Sequence, residues 1–346
     1  MMIEIDGSHG EGGGQILRTA LSLSCMLKRP FRIFNIRQGR KKTGLMPQHL
    51  TSVRAAQLLS NAAVRGDSLG SAEITFSPGD VIGGDFFFDV GTAGATSLVL
   101  QTLIPALIFL KQKTTVILKG GTHVSHSPSS HYLAEVFIPF VNRLGIEVRF
   151  SIETYGFYPK GGGKVSATIF PSKKLRPIAL LKRGDVLRLQ GYSGVANLPL
   201  SIAERQKNAL LEKMFQMKDL QAHVDIRLLD VETHGQGTFL FMMAESENSR
   251  AGFTSLGQKG KMAEAVGEEA ASEFMSYYHT GAALDQYLSD QIALYLSLCE
   301  QGSIFTTSSI SSHLMTNLWV IGLFHKCHYV IEGEIGKPGT VRINAP

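Results

Sequence analysis

The sequence predicts an α/β (α+β) protein, a body of repeated βαβαββ units with a smaller α/β domain inserted into it. Three observations carry this. A chain of 346 residues exceeds one ordinary compact unit, because about 150 residues per domain is the rule. A pattern of Gly-rich or small-residue turn, amphipathic helix and strands recurs along it, and each such unit leaves a sheet face that two helices must cover. Near Leu181 that rhythm changes, and it resumes near Tyr278.

The first unit opens with strand MIEID and the turn GSHGEGGG. Ile16, Leu17, Ala20, Leu21, Leu23 and Leu27 then follow helical spacing, and strand FRIFNI comes next. A helix over Gln48 to Ala63 and strands near Glu73 to Phe76 and Phe86 to Val90 follow. The pattern restarts at GTAGATS, with a helix from Leu98 to Leu110, strand TTVILK, a helix from Ser130 to Leu144, and strands IEVRFSI and KVSATIF. Beyond Leu181 the spacing predicts a strand at Asp185 to Gln190, a helix at Leu200 to Met217, strands AHVDIRLLD and TFLFMMA, and a helix at Gly260 to Tyr278. This stretch is long enough to fold alone. The body then continues with a helix over Leu284 to Leu298, strand SIFTT, a helix over Ser311 to Phe324, and strands HYVIEGE and TVRINA around the GKPG turn. The expected division is therefore a body of residues 1–181 and 278–346 with an insert of 182–277.

Composition narrows the function classes. With 44% hydrophobic and 18% charged residues the chain can bury a core, which excludes a mainly disordered protein. The longest apolar stretch, Leu98 to Leu110, is thirteen residues interrupted by Gln101, Thr102 and Pro105, short of the ~20 that a membrane span needs. The start MMIEIDGSHGE carries acids and no basic segment, unlike a secretory signal. Cys25, Cys299 and Cys327 are odd in number and far apart, which suits a reducing compartment. A soluble, cytoplasmic protein is expected. The net charge is only +5, but its placement is uneven: Gly12 to Gly66 holds no acid and ten Lys and Arg residues. Such a segment is either a solvated basic face or the footprint of a phosphate-rich ligand.

Familiar nucleotide motifs are missing. Gln15 occupies the final glycine position of G-x-G-x-x-G in GSHGEGGGQ, and Val165 follows Gly163-Lys164 where a P-loop needs Ser or Thr. The glycines before the first helix still read two ways, as a tight turn or as backbone N–H groups offered to an anion. Glu11 in that loop repels phosphate unless a cation intervenes, so it is either a Mg²⁺ or Mn²⁺ ligand or a solvated carboxylate at a helix start. His123, His126 and His131, and His325 with Cys327 and His328, lack the spacing of a zinc site and read as polar loop and strand histidines. No G-x-S-x-G elbow is present. In FTTSSISSHLMTN, a cap at Ser311 puts His313 in the first turn of a helix. The macrodipole there keeps imidazole neutral while free N–H groups can hold phosphate, a seat suited to a nucleophile that attacks phosphorus. An ordinary helix-start histidine is the alternative.

These residues also resemble a known family, the RNA 3'-terminal phosphate cyclases. The similarity lies in DGSHGEGGGQILRTALSLS, NIRQGRKKTGLMPQHLTSV, GTAGATSLVLQTLIPAL, the GGT of 120–122 with SPSSHYL, YGFYPKGGGKV, QYLSDQ and SSHLMTN, in the family's order. The inserted stretch resembles the family more in position and size than in residues. At the YPKGGG motif the chain departs from it, with Tyr155 where the family usually has a basic residue, which puts one local contact in doubt.

The resemblance implies a ligase that converts an RNA 3'-terminal phosphate to a 2',3'-cyclic phosphate, with ATP as co-substrate and AMP and pyrophosphate as products. It implies His313 as the nucleophile that becomes adenylylated. Gln101, Tyr287, Leu288, Ser289, Asp290 and Gln291 would line the ATP site, with Pro128 walling the adenine pocket. Glu11 would sit by a divalent cation, Mg or Mn, and the triphosphate. Arg18 would lie near the reacting phosphates, and Arg37, Arg40 and Gln48 on the RNA side. The implied body resembles the C-terminal domain of a translation initiation factor, the implied partner is RNA with a 3'-terminal phosphate, and a homodimer is compatible with all of this. Two rivals stand beside it: a cyclase-like ribosome-assembly protein, which would lack the histidine, and an enolpyruvyl-type transferase, which needs a Lys and Arg set that the sequence does not display.

Overall fold

The computed structural model describes residues 1–344 apart from 219 and 221; the last residue of the expected final strand, the last two of the expected body and two of the expected insert lie outside the described residues. Three four-stranded sheets repeat one topology. In the first, β1 (Ile3–Asp6) runs parallel to β2 (Phe31–Phe34), which pairs antiparallel with β4 (Ile74–Ser77), and β3 (Ala63–Arg65) closes the edge. The second repeats this order with β5 (Asp85–Asp89), β6 (Thr114–Gly120), β8 (Gly163–Ile169) and β7 (Val148–Thr154). The third does so with β9 (Ala179–Leu180), β14 (Ser303–Thr307), β16 (Gly339–Asn344) and β15 (His328–Glu332).

Each unit carries two helical segments between its strands. They are α1 (Gln15–Leu27) and α2 (Pro47–Ser60) in the first, and α8 (Gln286–Leu296) and α9 (Ser312–Phe324) in the third. In the second, α3 (Thr96–Leu107) is followed by α4 (Ser130–Tyr132), a wide turn at Leu133–Phe137 and α5 (Ile138–Arg143). The helices face inward and share one core. α1 packs against α2, α3 and α9, so it is buried nearly all round, with Ile16, Leu17, Ala20, Leu21 and Leu23 fully enclosed. A parallel β1–β2 pair needs a crossover of this kind, and a helix buried on several sides must be apolar beyond a single stripe.

Between β9 and α8 lies a fourth sheet, in the order β11 (His223–Asp230), β10 (Val186–Ala196), β12 (Gly237–Ser246), β13 (Arg250–Leu256), with α6 (Leu200–Phe215) and α7 (Ala263–Thr280). Alternation along β12 serves two cores. Leu240, Met242 and Ala244 pack with Leu210, Phe274 and Tyr277 under the helices, whereas Phe239, Phe241 and Met243 join the main core.

The expected elements recur with shifted ends. The helix expected to run to Ala63 stops at Ser60, because Asn61 turns left-handed (φ 46°) and frees the chain to enter β3. β3, β9 and β13 have no counterpart in the sequence reading: the first two are very short, and the third, RAGFTSL, lacks a strict two-residue alternation. The division expected at 277–278 falls inside the last turn of α7, which ends at Thr280 with Gly281 in the left-handed region. Among the described residues no helix is long and apolar enough to cross a membrane.

Because Leu21 is enclosed by helices on several sides, truncation leaves a cavity that cannot collapse. Leu21→Ala is expected to cost about 3 kcal/mol of stability, read as a lower denaturant midpoint with an unchanged slope.

Candidate active site

Two turns and two helices meet where the helices begin. The turn after β1 delivers Glu11, the turn after β2 delivers Arg37 and Arg40, α1 carries Arg18, and α9 carries His313. The glycine turn is pinned to α9 at two points: the Glu11 N–H donates to Thr316 Oγ1 at 3.2 Å, and His9 stacks on Trp319 with ring centroids 3.8 Å apart. Gly12 sits in the left-handed region (φ 60°) as the turn closes, a conformation that costs other residues about 1 kcal/mol or more.

His313 stands in the first turn of α9, as the sequence predicts. Ser311 is the cap, its Oγ accepting from the Leu314 N–H at 2.9 Å, and the same hydroxyl donates to Asp290 Oδ1 at 2.5 Å. The ring is half-exposed and its Nδ1 lies 3.8 Å from Glu11 Oε2. Burial, followed by the charges of Arg18 and Arg40, holds its pKa below the ordinary histidine value. The imidazole is therefore neutral near pH 7, with a lone pair to give.

Glu11 is the single acid of this cluster. Its side chain is 10% exposed, ion-paired with Arg40, and accepts from the Gly13 N–H at 3.1 Å. Around it two of the cations are partly stripped of water. Arg18 has its pKa lowered to about 10 by burial and by Arg37, and Arg37 is lowered by burial. Arg37 also takes a left-handed backbone (φ 58°), an uncommon conformation outside glycine that clusters at functional sites. Three guanidinium groups against one carboxylate leave the pocket with surplus positive charge, suited to an anion.

His49 belongs to the same cluster and escapes the sequence reading. It is buried in the first turn of α2, its Nδ1 accepting from the Met46 N–H at 3.3 Å, which leaves Nε2 as the protonated donor. Burial, with Arg18 and Arg37, lowers its pKa to about 3. A Cβ added at Gly14 would strike the His49 ring and come within 3.0 Å of Arg18 Nη1. A lone histidine after Met-Pro-Gln gives no sequence signal of this; only the approach of α2 to α1 creates it.

A second set of polar contacts ties the three units together. Gln15 Nε2 donates to Asn317 Oδ1 at 2.8 Å, Thr19 Oγ1 to the same atom at 2.7 Å, and Arg18 Nη2 to Gln15 Oε1 at 2.5 Å. Asn317 Nδ2 reaches the Asp290 carbonyl at 2.9 Å. Gln101 donates to Gln291, and Gln48 Oε1 accepts from the Ala95 N–H at 2.9 Å. Gln15, Arg18, Gln101, Asp290, Gln291 and Asn317 line a cavity of about 40 Å³, room for a few waters and not for a nucleoside. Burial pushes Asp290 up to about 8 despite the Ser311 bond.

The other expected nucleotide residues divide. Tyr287 is exposed, with its hydroxyl donating to Glu273 at 2.9 Å and its ring edge-on to Tyr132 at 6.3 Å. Pro128 precedes Ser129, the cap of α4 whose Oγ accepts from the Tyr132 N–H at 3.2 Å. Leu288 and Ser289 are fully buried, because successive helical positions turn away from Tyr287 and into the core. Ser289 Oγ is bonded to the Asp285 carbonyl and to Thr307 Oγ1. Asp285, which the sequence reading also passes over, caps α8 and accepts from Tyr132 Oη at 2.8 Å; burial raises it to about 6.

Of the histidines expected to be polar loop and strand residues, two are enclosed. His123 and His131 are buried, with His123 Nε2 2.9 Å from His131 Nδ1, and burial lowers both pKa values. Tyr155 lies against them, its hydroxyl 3.3 Å from His131 Nε2 and its ring stacked on His123. Phe239 and Phe241 from β12 complete the cluster. Tyr155 here makes a neutral aromatic contact where a basic side chain would face two histidines.

A family profile described as RNA 3'-terminal phosphate cyclase matches residues 9–331. The chain belongs to that family. A Pyrococcus furiosus protein named RNA 3'-terminal phosphate cyclase is 40% identical over 342 residues, covering 99% of this chain and 98% of the relative. Proteins of the same name from Sulfolobus acidocaldarius, 44% identical (96% and 97% covered), and Nostoc punctiforme, 41% identical (93% and 94% covered), are similar over nearly their whole length.

Gly14→Ala is expected to displace His49 and Arg18 together, lowering turnover at least 10-fold, since small misplacements of positioning groups are costly. Circular dichroism should remain that of the wild type.

Proposed function

We propose that this protein is an RNA 3'-terminal phosphate cyclase that uses ATP to convert a 3'-phosphate into a 2',3'-cyclic phosphate through an adenylate carried on His313. The observation that supports this most is the neutral imidazole in the first turn of α9, 3.8 Å from Glu11 and within the field of Arg18 and Arg40. Family membership supports the overall reaction, and the cluster chemistry supports the route.

ATP is needed because direct closure would expel oxide from a phosphate dianion. In the first step a ring nitrogen of His313 gives its lone pair to the α-phosphorus. The bond from that phosphorus to the bridging oxygen breaks, and pyrophosphate leaves with its electrons. Arg18, stripped of water and crowded by Arg37, meets the growing negative charge. In the second step an oxygen of the RNA 3'-phosphate attacks the same phosphorus and histidine departs, which leaves RNA joined to AMP through a pyrophosphate. In the third the adjacent 2'-hydroxyl attacks the terminal phosphorus, AMP leaves, and the hydroxyl proton passes to solvent. This closure is intramolecular, where effective molarities reach about 10⁵ M or more, so we assign no general base to it.

Among the described residues no group of three or more His, Cys, Asp or Glu side chains could hold a metal ion. One carboxylate nevertheless suits Mg²⁺ or Mn²⁺, which bind through one or two carboxylates plus substrate phosphates. Glu11 would hold such an ion, whose chemistry is to neutralise charge on the phosphate oxygens. Arg40, paired with Glu11 here, would turn to an incoming phosphate and release the carboxylate. Arg37, and the amide NH₂ of Gln48 whose oxygen is already engaged, would take the RNA phosphate. Gln101, Asp290 and Gln291 would form the floor of the ATP site, with Tyr287 and Pro128 against the base; Leu288 and Ser289 would serve by holding the helix in place.

We propose further that residues 182–277 form a unit of their own. With all three cysteines unbridged, we assign the protein to a reducing, cytoplasmic setting.

Wild-type protein incubated with [α-³²P]ATP should yield an acid-labile, alkali-stable adduct mapping to His313, and His313→Ala and His313→Asn should yield none. Retention of turnover by either variant would sink the assignment of the nucleophile, whereas a wild type that neither takes label nor turns over would favour the non-catalytic, ribosome-assembly alternative. Because the histidine pKa is lowered, protonation silences the nucleophile only below the ordinary value. The acid limb of the single-turnover rate of adduct formation should therefore have its midpoint below the ordinary histidine value. A DNA strand ending in 3'-phosphate should accept AMP yet release no cyclic product, since it lacks the 2'-hydroxyl.

A further inference from the structure

A groove of about 430 Å³ opens between α2 and the edge strand β5. Leu50, Thr51 and Arg54 on α2 form one wall, and Leu69, Phe87, Phe88 and Val90 form the other. Strand alternation sends Phe86 and Phe88 to one side, where their rings stack. Phe87 goes to the other and stays 57% exposed, beside Leu69 at 64%. Two large apolar side chains are thus left in water at the rim of one opening, which marks a binding surface more than a core defect.

The charge around the groove is one-sided. α2 carries no acid along its length, and Arg54 stands in the wall, 3.9 Å from the Asp67 carboxylate and donating to the Asp67 carbonyl at 3.5 Å. The acid at the β5 end, Asp89, is neutralised by Lys119 at 3.1 Å. The groove also leads to the candidate site. It starts at Pro47, the first residue of α2; the next residue, Gln48, holds the Ala95 N–H, and His49 lies against Gly14 beside Arg18.

We propose that this groove takes the base of a nucleotide upstream of the 3'-terminal phosphate, with Phe87 as its stacking surface and Arg54 on a backbone phosphate. The inference rests on the RNA-end function proposed above and states where the strand runs as it leaves the reacting end. Volumes of 300–1,000 Å³ are those of small-molecule sites, so the groove fits a single nucleotide. Cationic tracks with aromatic platforms are how single strands are held without sequence preference. A second copy of this chain is the less suitable occupant, because a stable interface needs about 1,000 Å² or more of complementary surface, and Arg54 would then be desolvated against its own kind.

The test is a cycle on equilibrium binding, without ATP, of a 3'-phosphorylated RNA hexamer and of hexamers abasic at successive upstream positions. Phe87→Ala should weaken binding of the intact hexamer about 10-fold, while Phe87→Trp should stay within about 2-fold of wild type. At one upstream position the abasic hexamer should bind wild type about 10-fold more weakly, and Phe87→Ala should add nothing to that loss. Phe87 is exposed, so truncation does not empty a core.

Unchanged RNA affinity in Phe87→Ala, or an abasic penalty equal in both proteins at every position, overturns the proposal. So does dissociation of a dimer in sedimentation with RNA affinity intact, which would give the face to a second copy. Adduct formation from ATP without RNA reads the proposed chemistry separately. A wild type that takes no label while the cycle behaves as stated loses the chemistry and keeps the groove, and labelling with a flat cycle does the reverse.

Discussion

Glu11 has to keep its charge in a pocket where Arg18, Arg37 and Arg40 crowd together, and the surrounding architecture follows from that constraint. A carboxylate removed from water needs a partner and hydrogen bonds, and Glu11 has both in Arg40 and the Gly13 N–H. Burial first, and then the charge of the neighbouring arginines, lowers the pKa of the two histidines beside them. A pocket in this condition is unsatisfied until an anion arrives, and it already holds a base whose lone pair is free. A surplus of positive charge and a neutral imidazole thus occur in the same pocket.

The crowding is possible because three similar units turn their helices toward one another. Each contributes a helix start or the loop before it, and polar side chains cross every seam: Gln15 and Thr19 to Asn317, Gln101 to Gln291, Gln48 to the backbone at Ala95. His313 depends on contacts within its own unit at two removes. Ser311 caps the helix of His313 and is itself held by Asp290 from α8, so displacement of one helix is felt in the first turn of the next. The buried pair His123 and His131, with Tyr155, plays a comparable part on the other side, where the β12 face meets the body.

Much of the architecture was legible from the chain alone, because periodicity reports the inward helices directly: Ile16, Leu17, Ala20 and Leu21 line up as an apolar face whichever helices cover it. The seat of His313 was legible for a similar reason, since a serine cap and the turn that follows it are local chemistry. His49, Asp285, Thr316 and Asn317 were not. Each is an unremarkable residue in its own segment and acquires a role only through a neighbour dozens to hundreds of positions away. Leu288 and Ser289 show the converse, a motif whose members share a stretch of sequence but not a helix face.

What the sequence by itself determined is the set of local geometries and the charge inventory: the repeated βαβαββ rhythm, the helix starts with their caps and glycine turns, and a segment from Gly12 to Gly66 in which no acid competes with ten bases. Local propensity and periodicity act over a few residues, so these survive in any reading of the chain. Only the tertiary structure decided which charges meet. Desolvation and Coulomb interaction depend on distance through space, and the convergence of Glu11, three arginines and two histidines exists only once the first and third units have closed around the shared core.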